Sequence, residues 1–145
     1  MDACRDRRMS MLLCASSALT LGVILYLAFR PWTFEAAGWI GLHERPGWLL
    51  DGLKAPNWIR FNLPDALWLY AFLVALTAFW VDSSGRLVPA GQPWIVGAAI
   101  LALGHELGQA VGVTNGTFDF ADIAAYMLGI LAAFLTWKRQ TEKEQ

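Results

Sequence analysis

The sequence predicts an all-α integral membrane protein with four transmembrane helices, a Trp-rich interfacial first loop and both termini in the cytoplasm. Three observations predict it. Four apolar runs approach the ~20 residues that a helix needs to cross ~30 Å of hydrocarbon. Of 145 residues, 57% are hydrophobic and only 16% charged, which is too apolar for a soluble fold of this size. Basic residues gather before the first run and after the last, as the positive-inside tendency expects of two cytoplasmic ends. No segment shows the alternating pattern of a membrane β-barrel, and a helical bundle satisfies its backbone hydrogen bonds within lipid.

The first span is expected at 11–29, behind Arg5, Arg7 and Arg8. Its apolar stretch is long and three further spans follow, so it reads as a retained helix and not a cleaved signal peptide. The second is expected at 63–81, where Pro64 suits an early helical position because its missing N–H has no helical partner there. The third is expected at 94–113. The fourth, 120–137, carries Asp122 near its start and leads into a charged tail, 138–145, that reads as a flexible end. All four belong to one membrane domain, 1–145, without internal repeats.

The first loop, 30–62, holds Trp32, Trp39, Trp48 and Trp58 punctuated by Pro31, Pro46 and Pro56, a mixture suited to the headgroup level. A sharper expectation is a short surface helix over 38–52 that covers a site opening outward. Trp80, Trp94 and Trp137 mark the opposite interface and give a common depth ruler. At 1.5 Å per residue, Asp65, Gln109 and Asp122 fall at ~22 Å from it, Glu106 at ~18 Å and Tyr126 at ~16 Å. Three helices thus offer polar groups at one level of the outer half of the bilayer. Ionisable groups there are costly and are functional candidates by default, Glu106 foremost.

On the third helix Gly97, Gly104, Gly108 and Gly112 fall on one stripe, with His105, Glu106 and Gln109 continuing around the same side and Leu103, Leu107 and Val111 opposite. Small residues four apart let a neighbouring helix approach closely, so the stripe is expected to pack. His105-Glu106-x-x-Gln109 falls short of the His-Glu-x-x-His zinc motif, because Gln109 replaces the second imidazole and His43 is the one other histidine in the chain. No metal, cofactor or catalytic residue is assigned, and His105 reads as a packing residue or a ligand contact.

Structural readings compete at the other acids. Asp119 suits the N-cap of the fourth helix, with Asp122 in its first turn, and Asp65 opens the second helix in the same way. Tyr126 lies four residues beyond Asp122 and on the same face. Asn115-Gly116-Thr117 matches a glycosylation sequon but reads better as a turn. Cys4 and Cys14 make no disulfide framework. A net charge of −1 without a basic face excludes nucleic acid as a partner.

The stretch from Gly104 to Gly129 resembles the distal half of the VanZ-like family of small multi-spanning bacterial membrane proteins. The family's Glu and Gln three apart match Glu106 and Gln109, and its later Asp and Gly match Asp122 and Gly129. Tyr126 stands where the family has Asn, and Thr117 where it often has Arg. Entry into the second helix through Leu63-Pro-Asp-Ala-Leu-Trp68 also looks like this group, whereas residues 30 to 60 show no likeness to it. The resemblance implies a multi-pass protein of the bacterial cytoplasmic membrane.

Three functions fit the residues. The first is an outward-facing polar pocket of Glu106, Gln109, Asp122, Tyr126, Asp65 and His105 that binds or translocates a small polar or amphiphilic ligand or a proton. Acidic positions without Lys or Arg inside the spans disfavour an anionic ligand unless Arg30 or Arg60 folds inward. The second is a non-catalytic packing or accessory subunit of a membrane complex, and the third an enzyme acting on lipid-linked envelope intermediates. Membrane lipid is the expected surrounding partner, with a homo-oligomer or a membrane-protein partner beside it.

Overall fold

The protein, seen here in a computed structural model, is described over residues 2–30 and 55–142, which form helices and turns without a strand. Among these residues five α-helices follow in order: α1 (Asp2–Phe29), the single turn α2 (Asn57–Phe61), α3 (Leu63–Trp80), α4 (Gln92–Ala110) and α5 (Phe120–Glu142). A 3-10 turn, Pro89–Gly91, leads into α4. The expected surface helix at 38–52 and most of the Trp-rich loop lie outside the described residues.

Three of these helices, α1, α3 and α5, are long and apolar enough to cross a membrane. Helix α4 is as long as α3, at 19 residues against 18, but Gln92, His105, Glu106 and Gln109 dilute its apolar character. It covers most of the expected span at 94–113 and falls short of the apolarity that marks the other three, so four spans are expected and three helices qualify among the described residues.

The elements outgrow the apolar runs at both ends of the chain. Helix α1 starts at Asp2, nine residues before the apolar run at Met11, because Ala, Arg and Met favour helix. Its first turns also have a docking partner: the Arg8 guanidinium donates to the Val81 carbonyl at 2.6 Å. Helix α5 continues through Glu142, so the first five residues of the expected flexible tail are helical. Lys138 and Glu142 pair at 3.6 Å one turn apart, and the Gln140 amide donates to the Ser10 hydroxyl at 3.0 Å.

Helix α3 is the centre of the bundle, with α1 on one side and α5 on the other. Leu69, Ala71, Leu73, Val74 and Ala78 of α3 are buried against Met11, Ala15 and Ala18 of α1 and Ala133 of α5. Alanine dominates this core because helices in lipid associate through close van der Waals contact, not through expulsion of water. The closest approach is at Gly129, where a Cβ would stand 2.7 Å from the Ala66 carbonyl oxygen.

The glycine stripe expected on α4 behaves differently. Among the described residues the space beside Gly97 and Gly104 is open, and Gly108 faces Thr114 of the following loop, so the stripe meets no described helix. Gly112 is not in the helix at all. Its φ of +74° ends α4, with Gly112 N–H donating to the Gln109 carbonyl and Val113 N–H to the Gly108 carbonyl at 2.8 Å, a Schellman stop. Helix α4 therefore ends at Ala110, three residues before the expected Val113.

The loop between α3 and α4 folds around Asp82, whose Oδ1 accepts from the Ser84 hydroxyl at 2.7 Å and from the Ser84 and Arg86 amides at 2.9 Å. The Trp137 indole donates to the Gly85 carbonyl at 3.2 Å, tying the end of α5 to the same loop. Trp80, Trp94 and Trp137 thus belong to one end of the bundle.

Gly129→Val is expected to destabilise the bundle by about 1–3 kcal/mol, because the new side chain meets backbone that cannot rotate away. Gly104→Ala, in open space, is expected to be neutral or stabilising, and unfolding midpoints in detergent micelles compare the two. A second expectation concerns pH. The Ser84 hydroxyl and the Arg86 amide hold the Asp82 carboxyl below the usual carboxylate range. A lowered folded-state pKa gives stability that is present above the unfolded value of ~3.9 and lost as pH falls through the folded one. Wild type should therefore melt above Asp82→Ala at pH 7, and the gap should close on acidification below pH ~3.9.

Candidate functional site

The opposite end of the bundle collects the polar side chains. There α1 ends, α3 begins, α4 ends and α5 begins. Tyr26 and Arg30 are four residues apart and so share a face of α1, with the Arg30 guanidinium 4.4 Å above the Tyr26 ring. Both reach Asp65 in the first turn of α3. The Tyr26 hydroxyl donates to Asp65 Oδ1, and Arg30 Nη2 lies 3.7 Å from Oδ2. Arg30 also donates to the Phe61 carbonyl at 2.8 Å, which seats α2 on the end of α1.

Asn62 is buried at the start of α3, and its amide donates to Asp122 Oδ1 of α5 at 2.5 Å. Pro64 follows in the first turn, where its lack of an N–H costs no helical bond. Asp119 is the cap of α5: its Oδ1 accepts from the Ala121 amide at 2.9 Å. Asp122 has a double role, in the first turn of α5 where the helix dipole favours an anion, and as acceptor for a side chain of α3. Tyr126, one turn further on, is partly buried beside it.

Glu106 is the exception in this network. It is the one buried residue of α4, at 5% exposure. Its Oε2 has no hydrogen-bond partner among the described residues, and Oε1 lies 3.8 Å from His105 Nδ1, beyond ordinary hydrogen-bond reach. It lies within electrostatic range of Asp122 and Asp65. Tyr126 feels all three carboxylates.

Four of the residues singled out from the sequence, Asp65, Glu106, Asp122 and Tyr126, lie at this end within electrostatic range of one another. His105 adjoins them, its Nδ1 3.8 Å from Glu106 Oε1 and its side chain lining a cavity with Tyr126, whereas Gln109 does not join them. The Gln109 amide meets His105 Nδ1 at 3.2 Å on an exposed face of α4, and its side chain lies against Gly116 of the following loop. Tyr26, Arg30 and Asn62 complete the site and were not singled out as site residues. Arg30 and Asn62 sit just outside the apolar runs, and Tyr26 reads as one more apolar-compatible residue of a span, so only their spacing, four before Arg30 and three before Asp65, carried a signal.

Among the described residues no three His, Cys, Asp or Glu side chains are grouped closely enough to hold a metal ion. Beside the polar cluster an apolar cavity of about 430 Å³ follows α3 and α5, between Leu63 and Arg139. A second, of about 420 Å³, opens between α3 and α4 and is lined by Trp68, Phe72, Ala98, Leu101, Ala102, His105 and Tyr126. The second starts at the level of the carboxylates and runs down toward the bundle middle.

Tyr26→Phe and Asn62→Ala each remove an interhelical hydrogen bond to a carboxylate and are expected to cost about 0.5–2 kcal/mol. Gln109→Ala, whose partner is on its own helix, is expected to cost less. Denaturant unfolding in mixed micelles measures the order. Comparison of the chain with family models, curated proteins and solved structures finds no match.

Proposed function

We propose that this is a VanZ-like protein of the bacterial cytoplasmic membrane, in which the Asp65, Glu106, Asp122 and Tyr126 cluster forms an outward-facing pocket that binds or translocates a small polar or amphiphilic ligand or a proton. The observation that carries the reading is Glu106, a buried carboxyl with an unpartnered oxygen on a helix that buries nothing else. Capping explains Asp119 and part of Asp122, but Glu106 lies near the end of α4, where a helix dipole disfavours an anion. Burial of such a group without a partner costs several kcal/mol, so its retention in that place favours an occupant.

In this reading α4 is the fourth span. Its 19 residues give ~28 Å, close to a hydrocarbon thickness. Both termini are cytoplasmic: Arg5, Arg7 and Arg8 of α1 and Lys138 and Arg139 of α5 share the end of the bundle away from the carboxylates. Trp58 and Phe61, both exposed on α2, suit the outer headgroup level beside the cluster.

A second reading, a packing or accessory subunit, is favoured by the open space along Gly97 and Gly104, which suits a helix of another membrane protein or of a second copy. The two separate by experiment. In a deletion strain of the source bacterium scored for envelope stress and glycopeptide sensitivity, Glu106→Gln and Asp122→Asn are expected to accumulate normally by immunoblot and fail to complement. Full complementation by both removes the pocket reading and leaves the packing subunit, for which Gly104→Leu should then be the damaging change.

A further inference from the structure

The cavity of about 430 Å³ along α3 and α5 has no residue of α4 in its wall and leads to the basic end of the bundle. It exists because the wall is small where the two helices are closest. Ala66, Gly129 and Ala132 let the backbones approach and leave no side chain to fill the space beside the bulkier Leu67, Leu128 and Leu135. From Leu128 to Arg139 is about 16 Å of helix, against about 15 Å for one leaflet of a hydrocarbon core about 30 Å thick. The groove therefore has the length of one acyl chain.

At Arg139 the groove joins a more polar cavity of about 560 Å³, which shares Tyr70, Thr136 and Arg139 with it and adds Cys14 of α1 and Gln140 and Glu142 of α5. The two hydroxyls at the junction are taken, Tyr70 with Thr136 at 3.1 Å and Thr136 with the Ala132 carbonyl at 2.9 Å. Arg139 is not: among the described residues it has no hydrogen bond or ion pair, while Glu142, the acid in this wall, is held by Lys138 at 3.6 Å. The Gln140 amide donates one N–H to Ser10 and has a second to offer. Arg139 lies two residues beyond Trp137, whose indole suits the headgroup level, so its guanidinium stands where lipid phosphates are. The groove is thus apolar along its length and cationic at its mouth.

We propose that this groove is a binding site for an anionic phospholipid, with the phosphate on Arg139 and one acyl chain lying between α3 and α5 down to Leu128. The guanidinium fork matches a phosphate with two parallel N–H donors, and the free N–H of Gln140 lies beside it. The chain exchanges one apolar contact in the bilayer for another, so the groove sets orientation and Arg139 sets selection. A zwitterionic lipid offers the same phosphate but brings an ammonium group beside the guanidinium, and Lys138 already holds the carboxylate that would receive it. None of Asp65, Glu106, Asp122 and Tyr126 lines either cavity, so the site is separate from the carboxylate cluster.

The test uses the full chain in nanodiscs of phosphatidylcholine, doped either with phosphatidylglycerol carrying a diazirine in one acyl chain or with phosphatidylcholine carrying the same group. After irradiation, peptide mass spectrometry is expected to find the label on Leu128, Ala132 or Leu135, at least about fivefold more with the phosphatidylglycerol probe. Arg139→Ala is expected to bring that ratio near one. Arg5→Ala removes the same charge from the same end of the bundle, outside the groove, and is expected to leave the ratio unchanged. Ala132→Trp, which fills the groove, gives a second variant should Arg139→Ala accumulate poorly and is expected to abolish the groove label with either probe; the comparison of the two probes on wild type needs no variant. Equal labelling by the two probes overturns the anionic class. Label absent from the groove, as when a helix of another copy covers it, overturns the site, and an equal loss in Arg5→Ala and Arg139→Ala overturns it too by reducing the effect to attraction of lipid to a basic end.

Discussion

The polar network that joins α1, α3 and α5 depends on how closely α1 and α5 approach α3. Apolar side chains gain little by leaving lipid for one another, so the bundle is held by contact distance, and contact distance is set by small residues. Ala15 and Ala18 of α1, Ala71 and Ala78 of α3 and Ala133 of α5 line the seams, and Gly129 brings α5 against the Ala66 carbonyl. Ala66 is the residue after Asp65, and Gly129 lies two helical turns beyond Asp122. The close approach at Gly129 thus fixes the α3 to α5 separation near the point where the Asn62 amide spans it to reach Asp122. Packing comes first, and the polar network is built at the distance that packing allows.

Within that network the acids fall into two kinds. Asp65 and Asp122 begin helices, where the backbone favours negative charge, and each accepts from a side chain of a neighbouring helix. Their burial is compensated by local structure and by the interhelical bonds that join α1 to α3 and α3 to α5. Glu106 enjoys neither compensation. It comes late in α4, and α4 is the helix with the lightest hold on the bundle among the three that bring a carboxylate to this end.

Much of this was legible in the sequence, and the rest was not for physical reasons. Run length and composition locate α1, α3 and α5, because the hydrocarbon thickness is a strong constraint on apolar length. The depth count from Trp80, Trp94 and Trp137 brings Asp65, Glu106, Asp122 and Tyr126 to one level, since helix rise is nearly invariant. Rotation about each helix axis is another matter. A stripe of glycines says that close packing is possible and not which neighbour accepts it, so Gly97 and Gly104 face open space while Gly129, unremarked for packing, makes the close contact. Gly108 and Gly112 share a spacing with them, but Gly112 serves the backbone as a helix stop. Helix ends escape hydropathy for a related reason: the Schellman turn at Gly112 and the docking of Arg8 on Val81 are hydrogen-bond decisions that apolarity does not encode. Arg30 and Asn62 were missed as site residues because they sit at span edges, where a long or polar side chain turns back to the bundle only once a partner such as Asp65 or Asp122 is in place.

Under the proposed reading, an occupant at Glu106 would matter to the fold as well as to function. A helix that packs closely gains van der Waals contact, yet the single residue that α4 buries is a carboxyl group, whose desolvation opposes docking. The remaining contacts of α4, Ile95, Ala98 and Ala102 against the core, are partly buried and small, and they offset that cost only in part. Under the proposed reading, a proton on Glu106 would remove the penalty and leave the favourable contacts, so that α4 would associate more firmly with α3 and α5. That linkage would run through one side chain and would require no movement of α1, α3 or α5, whose mutual positions the alanine seams and Gly129 fix.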